Sequence, residues 1–202
     1  MRVKGENKAD GANSTPMQRL IAALGASPGK IPPVERWNPP WCGEIEMRIA
    51  PDGRWFYMGT PITRAPLVKL FASVLKMEEG RHLLVTPVEK LGIQVEDAPF
   101  NAVEMIVEGE GEARQISFRT NVDDVVSVDA DHAFRFDVGA DGGVKPYVHI
   151  RRGLWARLTR ALAHELLALG EIRDVAGIAT FGVHAGGLFH PALPADALGE
   201  TS

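Results

Sequence analysis

Twice along this chain, an alternating pattern of apolar residues leads to an Asp-Gly pair and then to apolar residues at helical spacing. Residues 45–49 alternate between aliphatic and charged side chains, which predicts a half-buried strand, and Asp52-Gly53 predicts the turn of a hairpin. A buried helix face is predicted next, because apolar residues recur three and four positions apart. They are Leu67, Leu70, Phe71, Val74 and Leu75. The chain must therefore combine antiparallel strands with helices.

The second occurrence has the same order of elements. Asp141-Gly142 predicts a turn between two strands, and a helix is predicted next from its apolar positions. They are Leu154, Leu158, Ala161, Leu162, Leu166 and Leu169. We interpret the recurrence as an internal duplication, with residues 45–79 expected to superpose on residues 134–169. In that alignment Leu67, Phe71 and Leu75 match Leu158, Leu162 and Leu166. Chance is the alternative explanation, since Asp-Gly turns and leucine-rich helix faces are common.

These patterns divide the chain into four parts and predict an α+β fold. Residues 1–40 hold a polar start that we expect to be disordered, a short helix that begins at Thr15-Pro16, and a Pro-rich connector. An N-terminal α+β domain is predicted for residues 41–100, and a β-rich C-terminal domain with one helix for residues 101–189. Residues 190–202 carry no periodic apolar face and are expected to form a loose tail. We expect the polar start and the tail to be dispensable for folding.

The composition disfavours several classes of protein. A net charge of −4 and an isoelectric point near 5.9 argue against a nucleic-acid or anionic-membrane binder, which normally carries a basic face. The one cysteine, Cys42, rules out an internal disulfide and agrees with a reducing compartment. No apolar stretch approaches the roughly 18 residues of a membrane span. The first residues are polar, unlike a signal peptide. We therefore expect a cytoplasmic protein.

No catalytic or cofactor-binding signature is present in the sequence. The histidines lack the spacing of a zinc site, no G-x-S-x-G sequence occurs, and the glycine-rich turns do not precede a helix as a phosphate loop does. No metal and no cofactor are expected. Glu89 and Asp97 are the candidate acid–base pair if the protein is a hydrolase or transferase, although nothing in one sequence shows that they face each other.

Arginines lie directly before both predicted long helices: Arg64 before the first, and Arg151 with Arg152 before the second. A helix N-terminus carries partial positive charge, so a cation there costs about 0.3–1 kcal/mol unless an anion is near. The anion is either an internal carboxylate or a bound phosphate, which an arginine fork and the free amides of a first helical turn would hold. The internal candidates are Glu89, Glu96 and Asp97. Both explanations stay open at this point.

Six segments occur in a fixed order along the chain. They are CGEIEMRI (42–49), DGRWFYMGTPITR (52–64), LVTPVEK (84–90), VEDAPF (95–100), FRTN (118–121) and PYVHIRRGLWARL (146–158). Together they resemble a bacterial family known only as domain of unknown function 1285. The resemblance implies two related halves, the second superficially like a pleckstrin-homology domain. It also implies a cleft between the halves for a nucleotide-like ligand, and a role in signalling. The chain differs from this family at one position, where Arg152 precedes Gly153 and a small residue is expected.

The first functional hypothesis is a non-enzymatic ligand-binding or sensory protein that holds a small anionic, nucleotide-like molecule between its halves. Arg64 and Arg151 are expected to converge on the charge of the ligand. The other candidate binding residues are Thr60, Thr63, Thr86, Glu89, Asp97 and Asn121. The alternatives are the hydrolase or transferase that uses Glu89 and Asp97, and an adaptor whose pleckstrin-like half binds another protein.

Overall fold

The computed structural model describes residues 15–24, 32–139 and 142–200. Its α-helices within these ranges are α1 (Pro16–Leu24), α2 (Ala65–Ser73) and α3 (Arg160–Ala168). Helix α1 begins where the sequence predicts it. The Thr15 hydroxyl accepts a hydrogen bond from the amide of Gln18, whose side chain accepts one from the Thr15 amide. Leu20 and Leu24 of this helix are buried in the hydrophobic core.

The first half of the chain forms one six-stranded sheet with α2 packed against it. The strands are β1 (Trp41–Ile49), β2 (Trp55–Tyr57), β3 (Thr60–Pro61), β4 (Leu75–Glu78), β5 (Arg81–Val85) and β6 (Lys90–Val95). They lie in the order β3-β2-β1-β6-β5-β4. All neighbours are antiparallel except β1 and β6, which are parallel. Trp55 and Phe71 stack across the contact between the sheet and α2, with ring centroids 6.2 Å apart.

The second half forms another six-stranded sheet. Its strands are β7 (Phe100–Glu108), β8 (Gln115–Thr120), β9 (Val125–Ser127), β10 (Phe134–Val138), β11 (Val144–Arg151) and β12 (Leu154–Leu158). They lie in the order β10-β11-β12-β7-β8-β9, and only β12 and β7 are parallel. Phe118 and Phe134 meet edge to face on the inner side of this sheet, where the core lies.

Both six-stranded sheets have the same strand order. Each sheet consists of two antiparallel meanders of three strands, and the second meander follows the first along the chain. The two meanders are joined side by side by a parallel pair, formed by the first strand of the first meander and the last strand of the second. Parallel strands cannot be joined by a tight turn, and here the four intervening strands make the connection. The equivalent parallel pairs are therefore β1 with β6, and β7 with β12.

The predicted register of the duplication is wrong. It matched the hairpin of β1 and β2 with the hairpin of β10 and β11. The first hairpin contains the first two strands of its sheet along the chain, whereas the second contains the fourth and fifth strands of the other sheet. Asp141 itself lies outside the described residues. Leu158, which was matched with Leu67 of α2, lies in a strand. The recurrence of an Asp-Gly turn therefore does not mark equivalent positions in the two halves.

The second long helix is much shorter than the sequence predicts. Residues 154–158 form β12, and α3 begins at Arg160 with the Thr159 hydroxyl accepting a hydrogen bond from the Leu162 amide. A spacing of four residues explains the error, because positions four apart share a face in a strand as well as in a helix. Leu154 and Leu158 therefore fit both patterns.

The C-terminal residues form a third, three-stranded sheet rather than a loose tail. Its strands are β13 (Glu171–Val175), β14 (Ile178–Ala185) and β15 (Leu188–Pro194), and residues 195–200 form a 3-10 helix. His190 pairs with Val183 and is only 6% exposed, so the predicted boundary at residue 190 cuts through β15. Pro191 and Pro194 weaken the strand pattern in the sequence, but an edge strand such as β15 tolerates proline.

The predicted Pro-rich connector is not simply extended. Val34 begins a short 3-10 helix, Val34–Arg36, and its side chain is fully buried in the common core. The polar start, residues 1–14, lies outside the described residues. The protein is a mixed α+β fold in which sheets dominate and which is divided into two halves. Over the described ranges, no helix combines the length and the apolar character needed to cross a bilayer.

Candidate ligand-binding site at the junction of the halves

A row of polar side chains crosses four neighbouring strands of the second sheet. Arg135 of β10 is paired with Tyr147 of β11, Tyr147 with Arg157 of β12, and Arg157 with Asn101 of β7. Side chains in such register project from one face of a sheet. The face opposite to theirs carries the core residues Val148, Ala156 and Ala102. We call the set Arg135, Tyr147, Arg157 and Asn101 the cross-strand row.

Asp97 belongs to the segment that joins the two halves, and its carboxylate contacts two residues of the cross-strand row. One of its carboxylate oxygens accepts a 2.7 Å hydrogen bond from the Tyr147 hydroxyl, and the other accepts a 2.9 Å hydrogen bond from Nη1 of Arg157. The side chain of Asp97 is 21% exposed. Both oxygens are therefore engaged, and the carboxylate fixes the positions of a phenol and a guanidinium.

Tyr147 is held in its neutral form. Burial, together with the negative charge of its acceptor Asp97, raises the pKa of Tyr147 to about 12. The phenol therefore keeps its proton at physiological pH and serves as a donor to Asp97. It is unsuited to act as a base or a nucleophile.

Arg135, on the edge strand β10, packs against two aromatic rings. The guanidinium of Arg135 lies 4.4 Å from the ring centroid of Tyr147 and 4.9 Å from that of Trp155. Arg135 also forms an ion pair with Asp137, and Lys145 is paired with Asp137 in the neighbouring strand. The exposed fractions of Arg135 and Arg157 are 42% and 35%. Each guanidinium thus keeps donors that solvent or a ligand can reach.

The first half of the chain contacts one end of the cross-strand row. Gly53, in the turn between β1 and β2, has φ of +81°, and a Cβ atom built there would lie 2.8 Å from the side-chain amide nitrogen of Asn121 and 3.0 Å from that of Asn101. The carbonyl of Asn101 accepts a hydrogen bond from the Asn121 amide, and the Asn121 side chain accepts one from the Asn101 amide. The predicted residue Asn121 is therefore part of the contact between the halves.

Arg151 does not lie before a helix, as the sequence had predicted. It is the last residue of β11. Its Nη2 atom donates a 3.0 Å hydrogen bond to the carbonyl of Ala72, near the C-terminus of α2. Arg152 donates to the carbonyl of Ser73 in the same turn. Cations are favourable there because the C-terminal end of a helix carries partial negative charge. For Arg151 and Arg152, the electrostatic conflict inferred from the sequence does not exist.

An internal carboxylate accompanies Arg151, but it is not one of the predicted partners. Nη1 of Arg151 lies 2.9 Å from Oδ2 of Asp124, and both side chains are about five-sixths buried. The two atoms are close enough for an ion pair but are not aligned as a hydrogen bond. Burial lowers the pKa of Arg151, against the opposing effect of Asp124, and it raises the pKa of Asp124. Desolvation therefore exceeds attraction for both groups.

Arg64 lies at the other end of α2, and the predicted convergence with Arg151 does not occur. Arg64 occupies the residue before α2 and its side chain is exposed. The eight helical rises that separate the two ends of α2 amount to roughly 12 Å. Thr60 and Thr63 are exposed near Arg64, so these three predicted residues lie together but away from Arg151.

Thr86 and Glu89 belong to the turn between β5 and β6. The Thr86 hydroxyl accepts hydrogen bonds from the amides of Val88 and Glu89 and donates one to the carbonyl of Glu89. The carboxylate of Glu89 lies 3.6 Å from Arg19 of α1. Glu89 thus contacts α1, whereas Asp97 contacts β11 and β12. The structure does not bring this acid–base pair together.

The residues of the cross-strand row were not predicted as a site, although the sequence of β11 and β12 contains a pattern that indicates them. In β11 and β12, polar or aromatic residues alternate with aliphatic ones, and the outward positions are Tyr147, His149, Trp155 and Arg157. The leucines of β12 continue into α3 at helical spacing, so the sequence favours one long helix over the strand that this period of two indicates. Among the described residues, no three His, Cys, Asp or Glu side chains are grouped as a metal site.

Models of one protein family match both halves of the chain. An N-terminal domain described as domain of unknown function (DUF1285) matches residues 32–98, and a C-terminal domain described as protein of unknown function (DUF1285) matches residues 99–192. The change of model falls between β6 and β7, where the chain passes from the first sheet to the second. No curated protein matches the chain.

Two solved structures are similar to this protein. A DUF1285 family protein from Silicibacter pomeroyi DSS-3 is 45% identical, with a TM-score of 0.81 over 89% of this chain and 97% of that chain. A DUF1285 family protein from Shewanella baltica OS155 is 30% identical, with a TM-score of 0.50 over 61% of this chain and 91% of that chain.

Proposed function

The chain belongs to the DUF1285 family, and from the geometry of its cross-strand row we propose that it is a non-enzymatic protein that binds a small, planar anion at the junction of its halves. A nucleotide-like molecule has the required chemistry, because it combines an aromatic ring with phosphate charge. Binding of such a molecule fits the signalling role that the family resemblance implies.

The observation that carries the proposal is the arrangement of Arg135 and Arg157 around Tyr147, beside the ring of Trp155. The two guanidiniums are partly exposed, and each uses only part of its five donors on carboxylates. Guanidinium groups suit phosphate because their donors form a planar fork. The Trp155 ring adds a surface on which a base can stack, although Arg135 covers part of it.

An acid–base enzyme has weaker support from the same geometry. Both carboxylate oxygens of Asp97 are engaged, Tyr147 is a neutral donor, and Glu89 contacts a different part of the fold. The adaptor alternative has one observation in its favour, the exposed apolar residues Val103, Ile106 and Val125 on strands β7 and β9. The likeness of the second half to a pleckstrin-homology domain and the cytoplasmic location stay predictions from sequence.

The test is isothermal titration of the purified full chain with AMP, GMP and inorganic phosphate. We expect at least one nucleotide to bind more tightly than phosphate, because only the nucleotide can use the aromatic surface. Arg157→Gln should weaken this binding at least about tenfold, since a charge-assisted hydrogen bond contributes about 1.5–3 kcal/mol. Arg157→Lys should recover only part of the loss, because lysine keeps the charge but lacks the fork.

Arg160→Gln is the matched control. Arg160 is an exposed arginine three residues further along, at the start of α3, and lies outside the cross-strand row. This variant should bind as the wild type does. Absence of nucleotide binding to the wild type would refute the proposal, and so would equal affinity of Arg157→Gln and the wild type.

A further inference from the structure

The parallel seam of the first sheet is interrupted where the equivalent seam of the second sheet is regular. On β1 the register runs from Glu44 to Arg48, whereas the matching positions on β6 run only from Gly92 to Gln94. The three residues between Glu44 and Arg48 thus face a single residue of β6. In the second sheet, successive residues of β12 and β7 pair one to one. Such irregularities bend a strand and often lie beside functional sites.

A groove of about 480 Å³ lies at this interruption, which is within the size range of small-molecule sites. It is lined by five consecutive residues of β1 together with one residue of β2, one of β6 and a turn glycine. They are residues 44–48, Phe56, Gln94 and Gly59. The groove therefore lies along the bulged part of β1.

The groove has an uncompensated negative charge. Glu44 and Glu46 are exposed on the same side of β1, and within the described ranges neither forms an ion pair or a side-chain hydrogen bond. The one cation among the lining residues, Arg48, donates a 2.5 Å hydrogen bond to Glu96 and lies over the ring of Phe56 at 4.3 Å. Arg48 is therefore neutralised, and the two carboxylates set the potential of the groove.

We propose that this groove binds a small organic dication, such as an alkyl diamine or a polyamine. Glu44 and Glu46 line the same groove, so the two ammonium groups of a short diamine can each meet one carboxylate. Each ammonium group has three donors and no acceptor, which suits a site lined by carboxylates. The alkyl chain packs in the groove beside Phe56, where it is partly removed from water.

This site differs in residues and in charge from the proposed anion site. The two are adjacent in the chain, since Glu96 binds Arg48 while the next residue, Asp97, binds Tyr147 and Arg157. A dication in the groove and an anion on the cross-strand row therefore contact neighbouring residues of the segment that joins the halves. Neither binding event depends on the other in this proposal.

The test is isothermal titration of the full chain with putrescine and with spermidine at low ionic strength. We expect saturable binding that weakens as sodium chloride is added, because the interaction is electrostatic and partly exposed. The double variant Glu44→Gln/Glu46→Gln should lose at least about tenfold in affinity, which corresponds to about 1.4 kcal/mol. The control is Glu108→Gln/Glu110→Gln, which removes two exposed carboxylates at the same spacing, one at the end of β7 and one in the turn that follows it.

Three results would overturn the proposal. They are absence of saturable binding, equal losses in the two double variants, and an affinity for magnesium ions equal to that for putrescine. The last two would mean that the amines sense only the general acidity of the surface. Because the variants leave the cross-strand row intact, the nucleotide titration remains an independent measurement and its failure is distinguishable from failure here.

Discussion

At the residue scale, burial and partners decide what an arginine does. Arg64 and Arg151 have the same side chain and seemed equivalent in sequence. Arg64 is exposed, whereas Arg151 lies over the ring of Phe100 at 4.9 Å and reaches both Asp124 and the end of α2. Removing Arg151 would leave the buried Asp124 without its ion-pair partner. That asymmetry leads to a prediction for each member of the pair.

We predict that Arg151→Met lowers the free energy of unfolding by on the order of 3 kcal/mol, because one buried charge is stranded. Asp124→Leu should be costly for the same reason. The double variant should be considerably more stable than the sum of the two losses implies, since it removes both desolvated charges. Urea denaturation followed by tryptophan fluorescence measures all four proteins.

Arg64→Met is the control for loss of a positive charge. It should change the free energy of unfolding by less than about 0.5 kcal/mol, as is usual for an exposed position. Strictly additive losses in the double variant would contradict the account of Arg151 and Asp124 as a coupled pair.

At the element scale, two tight turns have the same backbone and different surroundings. Met58-Gly59 joins β2 to β3 and Arg152-Gly153 joins β11 to β12, and all four residues have positive φ, between 48° and 76°. Asn-Gly is the preferred sequence for such turns. Met58 is 62% exposed, whereas Arg152 donates hydrogen bonds to Ser73, Pro32 and Glu35. Arg152 thus accepts an unfavourable backbone conformation and connects the second half to α2 and to the N-terminal segment.

We predict opposite effects of asparagine in the two turns. Met58→Asn should stabilise the protein by up to about 1 kcal/mol, because asparagine tolerates positive φ and nothing buried is lost. Arg152→Asn should destabilise it by about 1–3 kcal/mol, because the carbonyls of Ser73 and Pro32 lose their donor. Thermal unfolding of both variants gives the comparison. Stabilisation by Arg152→Asn would mean that these contacts contribute little.

At the scale of the whole molecule, the C-terminal strands complete the core of the second half. His190 of β15 meets Phe134 of the second sheet with ring centroids 5.2 Å apart, and Val183 and Ala185 of β14 are fully buried. The third sheet therefore covers apolar surface that the second sheet would otherwise expose. Residues 190–194 are part of the fold, in contrast to the expectation from sequence that a loose tail begins at residue 190.

We predict that a chain ending at Gly187 loses cooperative unfolding or becomes insoluble, because β14 loses its partner β15 and the aromatic contact with Phe134 is lost. A chain that ends at Pro194 keeps β15 and should retain a single transition near that of the full protein. Circular dichroism and calorimetry of the two truncated chains test this. A cooperative transition of unchanged midpoint in the shorter chain would show that β15 is dispensable.

Local patterns in the sequence determined the α+β class, the start of α1, the hairpin at Asp52-Gly53 and the family of the chain. The start of α1 and the hairpin depend on neighbours within a few residues, such as the cap of Thr15 on Gln18 or the alternation in β1. The class and the family depend on the order of such local patterns along the chain. The same information could not separate strand from helix at residues 154–158, because a spacing of four fits both. It also assigned most of β15, from residue 190 onward, to a tail, because prolines conceal its pattern.

Only the tertiary structure decided which side chains meet. Asp97 joins Tyr147 and Arg157 across 50 and 60 residues of chain, and Arg151 meets the end of α2 across 79. The groove lies along a stretch where β1 has more residues than β6 at their seam, a difference that neither strand shows alone. Pairing between strands brings distant residues together, and one chain's sequence carries no local record of that pairing.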